Sequence, residues 1–287
     1  MGEFVSALAE HAFLRNALLA GLLASVACGV VGSYVAARHI GYIAGGIAHS
    51  VLGGMGVARY LQVVAGWEWL HPLYGATAAA LAAAAIIWLV SLHWRESEDT
   101  AIGAIWAIGM AVGLLFIYRT PGYTENLMSY LFGNILMVTP GSLWLMAGLD
   151  AVVLALGLGF YRTLLAISFD EEFARLRGVK VELHYLMLLC LTALTVVLLV
   201  TVVGLVMVIA LLTLPVAAAA RFGRSLWQMM LLAAALAGML TTAGLAISYA
   251  VDLPAGPTII VLAGAVYLVV VGTSSLAGRA RRTRPAA

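Results

Sequence analysis

An all-α bundle of about eight or nine membrane-spanning helices is the fold this sequence predicts, on three observations. Hydrophobic residues make up 64% of the 287-residue chain and charged residues only 10%, a balance no water-facing surface could absorb. The apolar residues gather in windows of roughly 20, the length that crosses a hydrocarbon core about 30 Å thick. Basic residues collect on alternate connections between those windows, which sets an orientation.

The windows run near 13–37, 40–62, 72–92, 100–118, 140–161, 184–203, 205–220, 227–249 and 257–275. The first follows Glu3 and Glu10 and is too long and wrongly flanked for a cleaved signal peptide, so it reads as a retained helix. The second is crowded with glycine at 41, 45, 46, 53, 54 and 56. The pairs Gly41/Gly45 and, in the fourth window, Gly109/Gly113 make small-xxx-small faces on which helix backbones can approach closely. The sixth and seventh windows are one apolar run divided only at Gly204, so eight crossings plus a re-entrant segment is the alternative count. The stretch from Tyr123 to Met137 is too polar to span and lies along the outer surface or re-enters. Residues 1–277 therefore form a single transmembrane domain, and 278–287 a basic tail.

With the N-terminus outside, the inner connections and tail hold Arg38, Arg95, Arg162, Arg175, Arg177, Lys180, Arg221, Arg224, Arg279, Arg281, Arg282 and Arg284. Only Arg15, Arg59 and Arg119 fall on the outer side. That division places the C-terminus inside, with the helices in contact with the lipid bilayer. Outer connections carry Trp67, Trp69 and Pro72, then 121–125, then 252–257, and tryptophan suits the interfacial belt.

Several functions are excluded. Cys28 and Cys190 both lie in apolar windows and suggest neither a disulfide framework nor a zinc cluster. A net charge of +2, carried in short loops and the tail, gives a nucleic-acid partner no support. A phosphate-binding loop ending in GK[ST] is impossible, because the single lysine, Lys180, follows Val179. ATP, if used, is handled by a partner, and no permanently bound cofactor is implied.

Polar residues at membrane depth are costly and point to function. His49 stands about nine residues into the second window, roughly 14 Å deep at 1.5 Å per residue. A neutral imidazole there binds a transition metal or hydrogen-bonds a neighbouring helix. Asp150 is the one acid well inside a window, and reads either as a cation ligand or as a helix-to-helix hydrogen-bonding group. The inner loop 168–182, SFDEEFARLRGVKVE, places Asp170, Glu171 and Glu172 before Arg175, Arg177 and Lys180. Acid first and base last is the order of a short helix, and its length and amphipathic order suit docking to a cytoplasmic subunit.

Five blocks in order, YIAGGIAHSVLGGMGVA, NLMSYLFGNILMVTP, FDEEFARLRGVKV, VVGLVMVIALLTLPVAAAARF and DLPAGPTIIVLAGAVYLV, make the chain resemble the permease subunits of bacterial ABC importers for zinc, manganese or ferrous iron. The resemblance covers nearly the whole length. It implies a homodimer or a pair of related permeases, gripping two cytoplasmic ATP-binding subunits and receiving metal from an extracytoplasmic binding protein. It implies that 168–182 is the coupling loop, with Glu172, Ala174 and Gly178 as the positions to test, and that His49 is the histidine of the second-helix motif. The aspartate usual four residues earlier is replaced by Gly45, and Asn134 stands where many relatives have aspartate. A site that keeps imidazole and loses carboxylate leans towards zinc, with manganese and iron as alternatives. A proton-coupled secondary carrier using Asp150 and His49 is the competing class; a membrane enzyme would need a cluster of catalytic polar residues at one depth, which the sequence does not show.

Overall fold

The computed structural model describes residues 2–93, 98–121, 133 and 135–282. The helices are α1 (Gly2–Glu10), α2 (Ala12–Ala37), α3 (Gly41–Val64), α4 (Pro72–His93), α5 (Glu98–Arg119), α6 (Pro140–Gly159), α7 (Tyr161–Phe169), α8 (Glu171–Leu176), α9 (Val181–Val203), α10 (Leu205–Ala219), α11 (Leu226–Val251) and α12 (Ala255–Arg282). Among the described residues there is no strand.

Each of the nine apolar windows is a helix, with ends displaced by a few residues, the C-terminal end of α12 apart. Seven of them, α2, α4, α5, α6, α9, α11 and α12, are long and apolar enough to cross a membrane. At 24 residues α3 is about 36 Å long, but glycines, His49 and Ser50 dilute its apolar character. The 15 residues of α10 give only about 22 Å, short of a hydrocarbon core. Helix α12 continues past 278 to Arg282, so the basic residues at 279, 281 and 282 extend a helix. Besides α8, in the loop 168–182, two helices lie outside the windows: α1, which buries Phe4 against Tyr249, and α7, which buries Leu164 and Ile167 after a break at Phe160. Both are nine residues long, too short and too polar to register as spans.

The bundle has two lobes. In one, α2 packs on α6, α10 and α11, and α12 covers α10 and α11; in the other, α3 is gripped by α4 and α5. Helix α9 touches both, through α4 and α3 on one side and α2 and α6 on the other. The apolar stretch of α2 is 72% buried, that of α5 only 11%, so α2 is the central pillar and α5 shows most of its surface to its surroundings.

The run that the sequence divides at Gly204 is broken there. Helix α9 ends at Val203 and α10 starts at Leu205, with Gly204 at φ +81°, ψ 161°, a conformation essentially confined to glycine. Gly133, also at positive φ (+66°), lies against the backbone of Val203 and Gly204. The short 3₁₀ turn Ile135–Met137 then tucks among α2, α9 and α12, with Ile135 buried and its methyl close to Gly21. The rest of the stretch from 123, with Asn134, Glu125 and Gly122, lies outside the described residues.

In the glycine faces, the pair Gly109/Gly113 behaves as expected. A Cβ on Gly109 would come within 2.7 Å of the Ser50 Cα, and one on Gly113 within 2.7 Å of the Leu52 carbonyl oxygen; reciprocally, Gly53 and Gly56 face the carbonyls of Gly109 and Gly113 at 2.8 and 2.6 Å. Gly54 and Gly75 meet in the same way between α3 and α4. The pair Gly41/Gly45 does not admit a backbone: Gly41 meets the Thr213 methyl at 3.9 Å, and Gly45 faces an indole ring. Gly54→Ala should therefore lower stability by about 1–3 kcal/mol through overpacking, read as a drop in melting temperature in detergent. Gly264→Ala, with open space at its Cβ, serves as the control, and equal melting temperatures would show that the α3–α4 contact is looser than described.

Candidate functional site

The face of α3 that carries residues 42, 45, 46 and 49 turns towards α5. His49 is only 8% exposed, and its imidazole stacks on the Trp106 indole with ring centroids 4.1 Å apart and 18° between planes. Its Nδ1 is buried and has no hydrogen-bond partner. Tyr42 also meets Trp106, at 5.7 Å and 38°. Ile102 fills the space beside Gly46. An imidazole held by its face keeps Nδ1 free for another partner.

Asp150 is equally enclosed, 6% exposed, and its Oδ2 also lacks a partner. It sits in the other lobe, in the middle of α6, which packs on α2. The two helices are clamped by the Tyr34 hydroxyl donating to the Gly157 carbonyl at 2.6 Å, with Val30 against Gly157. The two polar residues singled out from the sequence are thus placed in different helix pairs, α3–α5 and α2–α6. Among the described residues, no three His, Cys, Asp or Glu side chains converge as a metal-binding group.

The loop 168–182 folds as the charge order predicts. Asp170 caps α8, its carboxylate accepting from the Phe173 amide at 2.9 Å, and Glu171 and Glu172 occupy the first turn, where the helix dipole favours acids. Arg38, at the end of α2, ties this helix down. One guanidinium nitrogen pairs with Glu171, another donates to the Ile167 carbonyl at 2.9 Å, and the group lies over the Tyr185 ring at 4.3 Å. Trp88 of α4 donates to the Glu182 carbonyl at 2.9 Å. The C-terminal ends of α2 and α4, the N-terminal end of α9 and the loop therefore share one end of the bundle. The exposed pair Arg175–Glu182, at 3.0 Å, adds little.

The three candidate coupling positions differ in setting. Glu172 is exposed. Ala174 is 1% exposed and faces the chain's own core, so it seats α8. Gly178 has open space around it but sits at φ +78°, so its constraint is backbone conformation. The apolar surface of the loop is carried by Phe169, Phe173 and Leu176, the last 87% exposed.

The sequence reading overlooked Trp106, whose position inside an apolar window carries no signal of its partner. It used Arg38 only as a topological charge.

A family model described as the ABC 3 transport family matches residues 10–274. The chain belongs to that family. It is 42% identical over 260 residues to an uncharacterized membrane protein of Synechocystis sp., covering 91% of this chain and 90% of that one. It is 31% identical over 267 residues to the manganese import system permease protein ScaB of Streptococcus parasanguinis, covering 93% and 92%. A chain of PsaBC from Streptococcus pneumoniae, solved in complex with Fab, has the same fold with a TM-score of 0.82 at 30% identity, covering 94% of each chain. This ABC 3 family chain is a multi-pass permease of the cytoplasmic membrane, a transport component rather than an enzyme.

Arg38→Ala should raise amide hydrogen exchange across 167–178 by roughly tenfold, since hydrogen bonds to charged groups each contribute about 1.5–3 kcal/mol. Arg38→Lys should not restore protection, because an ammonium cannot bridge a carboxylate and a carbonyl while stacking on a ring. Wild-type exchange in both variants would mean that α8 is held by Ala174 packing alone.

Proposed function

We propose that this chain is the membrane-spanning subunit of an ATP-driven importer for a divalent transition metal, with zinc as the first cargo and His49 as a transient ligand on its path. The observation that carries the reading is His49 itself: an imidazole inside a helix at membrane depth, with Nδ1 enclosed and unpartnered. An ion stripped of water inside a membrane needs replacement ligands that bind well enough to admit it and loosely enough to release it, and a lone imidazole meets both conditions. Zinc takes four donors, commonly imidazole nitrogen. One chain supplies a single such group here, so a homodimer, contributing His49 twice, fits the requirement better than a lone copy. Asp150, in the other lobe, is the secondary candidate along the path.

The carboxylate-poor surroundings of His49 favour zinc over harder ions. Manganese is the second reading, favoured by the name of the 31% identical ScaB permease. Cytoplasmic ATP-binding subunits would seat on the exposed side of α8, through Glu172, Phe173 and Leu176, with Gly178 shaping the turn that follows. An extracytoplasmic metal-binding protein would deliver the ion at the opposite end. A proton-coupled carrier using the same two residues would need no such subunits.

The test is metal-stimulated ATP hydrolysis and uptake by the chain reconstituted with ATP-binding subunits and binding protein. His49→Ala should reduce both by more than the roughly tenfold typical of losing an outer-shell group, with folded protein recovered at wild-type yield. Wild-type rates would leave His49 a packing residue and move the search to Asp150. Uptake without ATP hydrolysis would instead favour the carrier.

Orientation has its own test, resting on the distribution of basic residues. In a background lacking reactive thiols, Trp69→Cys should be labelled by an impermeant reagent from outside intact cells and Leu176→Cys should not. The reverse pattern would invert the topology.

A further inference from the structure

We propose that Trp106 determines which ions His49 accepts, by filling the space that a second donor at position 45 would need. The inference rests on His49 as the transit ligand and extends it to the neighbouring helix. Residues 45 and 49 are one helical turn apart and share a face. The Trp106 ring covers both. It stacks on the imidazole at 4.1 Å, and a Cβ built on Gly45 would stand 3.2 Å from Cζ3 and 3.8 Å from Cε3 and Cη2 of the same ring. A Cβ there already presses on the ring edge, so a carboxylate at 45 that turned towards the histidine would meet the indole. The absence of a side chain at 45 is what lets the ring lie flat over the histidine.

The consequence is chemical. With an aromatic wall on one face and no side chain at position 45, the turn adjoining His49 offers an ion no carboxylate beside the imidazole. Such a site discriminates in favour of ions that bind imidazole well and against those that require carboxylate or water oxygen, which separates zinc from manganese. Trp106 is half-buried on α5, the helix with the least buried apolar stretch. Selectivity therefore depends on the pairing of Gly45 with Trp106, each useless for this purpose without the other.

The dissociation constants of ZnCl₂ and MnCl₂ are measured by titration calorimetry on the full chain in lipid nanodiscs, for wild type, His49→Ala, Gly45→Asp, Trp106→Ala and the double variant Gly45→Asp/Trp106→Ala. Gly45→Asp alone should change the manganese-to-zinc ratio by less than about twofold, because the ring blocks the carboxylate, and the double variant should shift it towards manganese by about tenfold or more. Gly45→Asp/Trp106→Phe, which keeps the stack and trims the ring edge, should fall between them and serves if the alanine variant does not fold. Equal ratios in Gly45→Asp and the double variant, with binding still lost in His49→Ala, would overturn the role of Trp106 alone. Wild-type affinities in His49→Ala would overturn the ligand reading and this one with it.

Discussion

Backbone meets backbone where α3 crosses its neighbours, and the placement of the candidate site depends on that contact. In a bilayer, lipid tails are as apolar as leucine, so helices gain little from hiding side chains from one another and much from close van der Waals contact. Helix α3 achieves it by removing side chains: Gly53 and Gly56 against Gly109 and Gly113 of α5, and Gly54 against Gly75 of α4. Three contacts along one helix fix its depth, rotation and tilt relative to both partners. His49 stands at the edge of this crossing, its carbonyl oxygen 3.3 Å from where a Cβ on Gly109 would lie, and its neighbour Trp106 stands about one turn before Gly109 on α5. The histidine–indole stack is thus a product of the glycine crossing. A methyl group anywhere in it would separate the two rings as well as the two helices.

The second lobe is organised by large side chains and hydrogen bonds instead. Tyr34, fully buried, reaches from α2 to the Gly157 carbonyl, and Arg38, one turn further, draws Glu171, the Ile167 carbonyl and the Tyr185 ring around a single guanidinium. A planar, always charged group with several donors suits that junction of carboxylate, carbonyl and ring. Helix α9 joins this end to the break at Gly204, where Gly133 lies against the backbone. Irregular backbone at such a place is tolerable only when protein covers it, and the turn Ile135–Met137, packed among α2, α9 and α12, supplies cover.

The architecture was legible in the sequence because its cause is local. Twenty apolar residues between charges must form a helix, since the bilayer offers no other partner for the peptide groups, and all nine windows are helices. Gly204 was legible for the same reason: a run too long for one crossing has to break, and glycine is where it breaks at least cost. The cap at Asp170 followed from acids placed ahead of bases. What could not be read is which faces meet. Gly45 and Gly109 look alike as small residues four positions from another glycine, yet one faces an indole and the other a helix backbone, because the crossing point of α3 and α5 is set by the ensemble of contacts. Asp150 and His49, alike in burial and in lacking a partner, gave no hint that they belong to different lobes.

Exposure carries different information at the two depths of this molecule. Ile108, Leu114, Leu115 and Tyr118 of α5 are all exposed, but within a membrane-length helix lipid satisfies them, so their exposure calls for no protein partner. Phe169, Phe173 and Leu176 lie on the connection between α6 and α9, outside every helix of membrane-crossing length and composition. Water is poor company for such a cluster. Their apolar surface stands beside Asp170, Glu171 and Glu172, on a short helix whose underside is locked to the bundle by Ala174 and Arg38. A rigid seat below and an apolar, acid-rimmed face above is the arrangement that the proposed docking of ATP-binding subunits requires, and it is the chemistry of its location that makes the same degree of exposure meaningful here and neutral on α5.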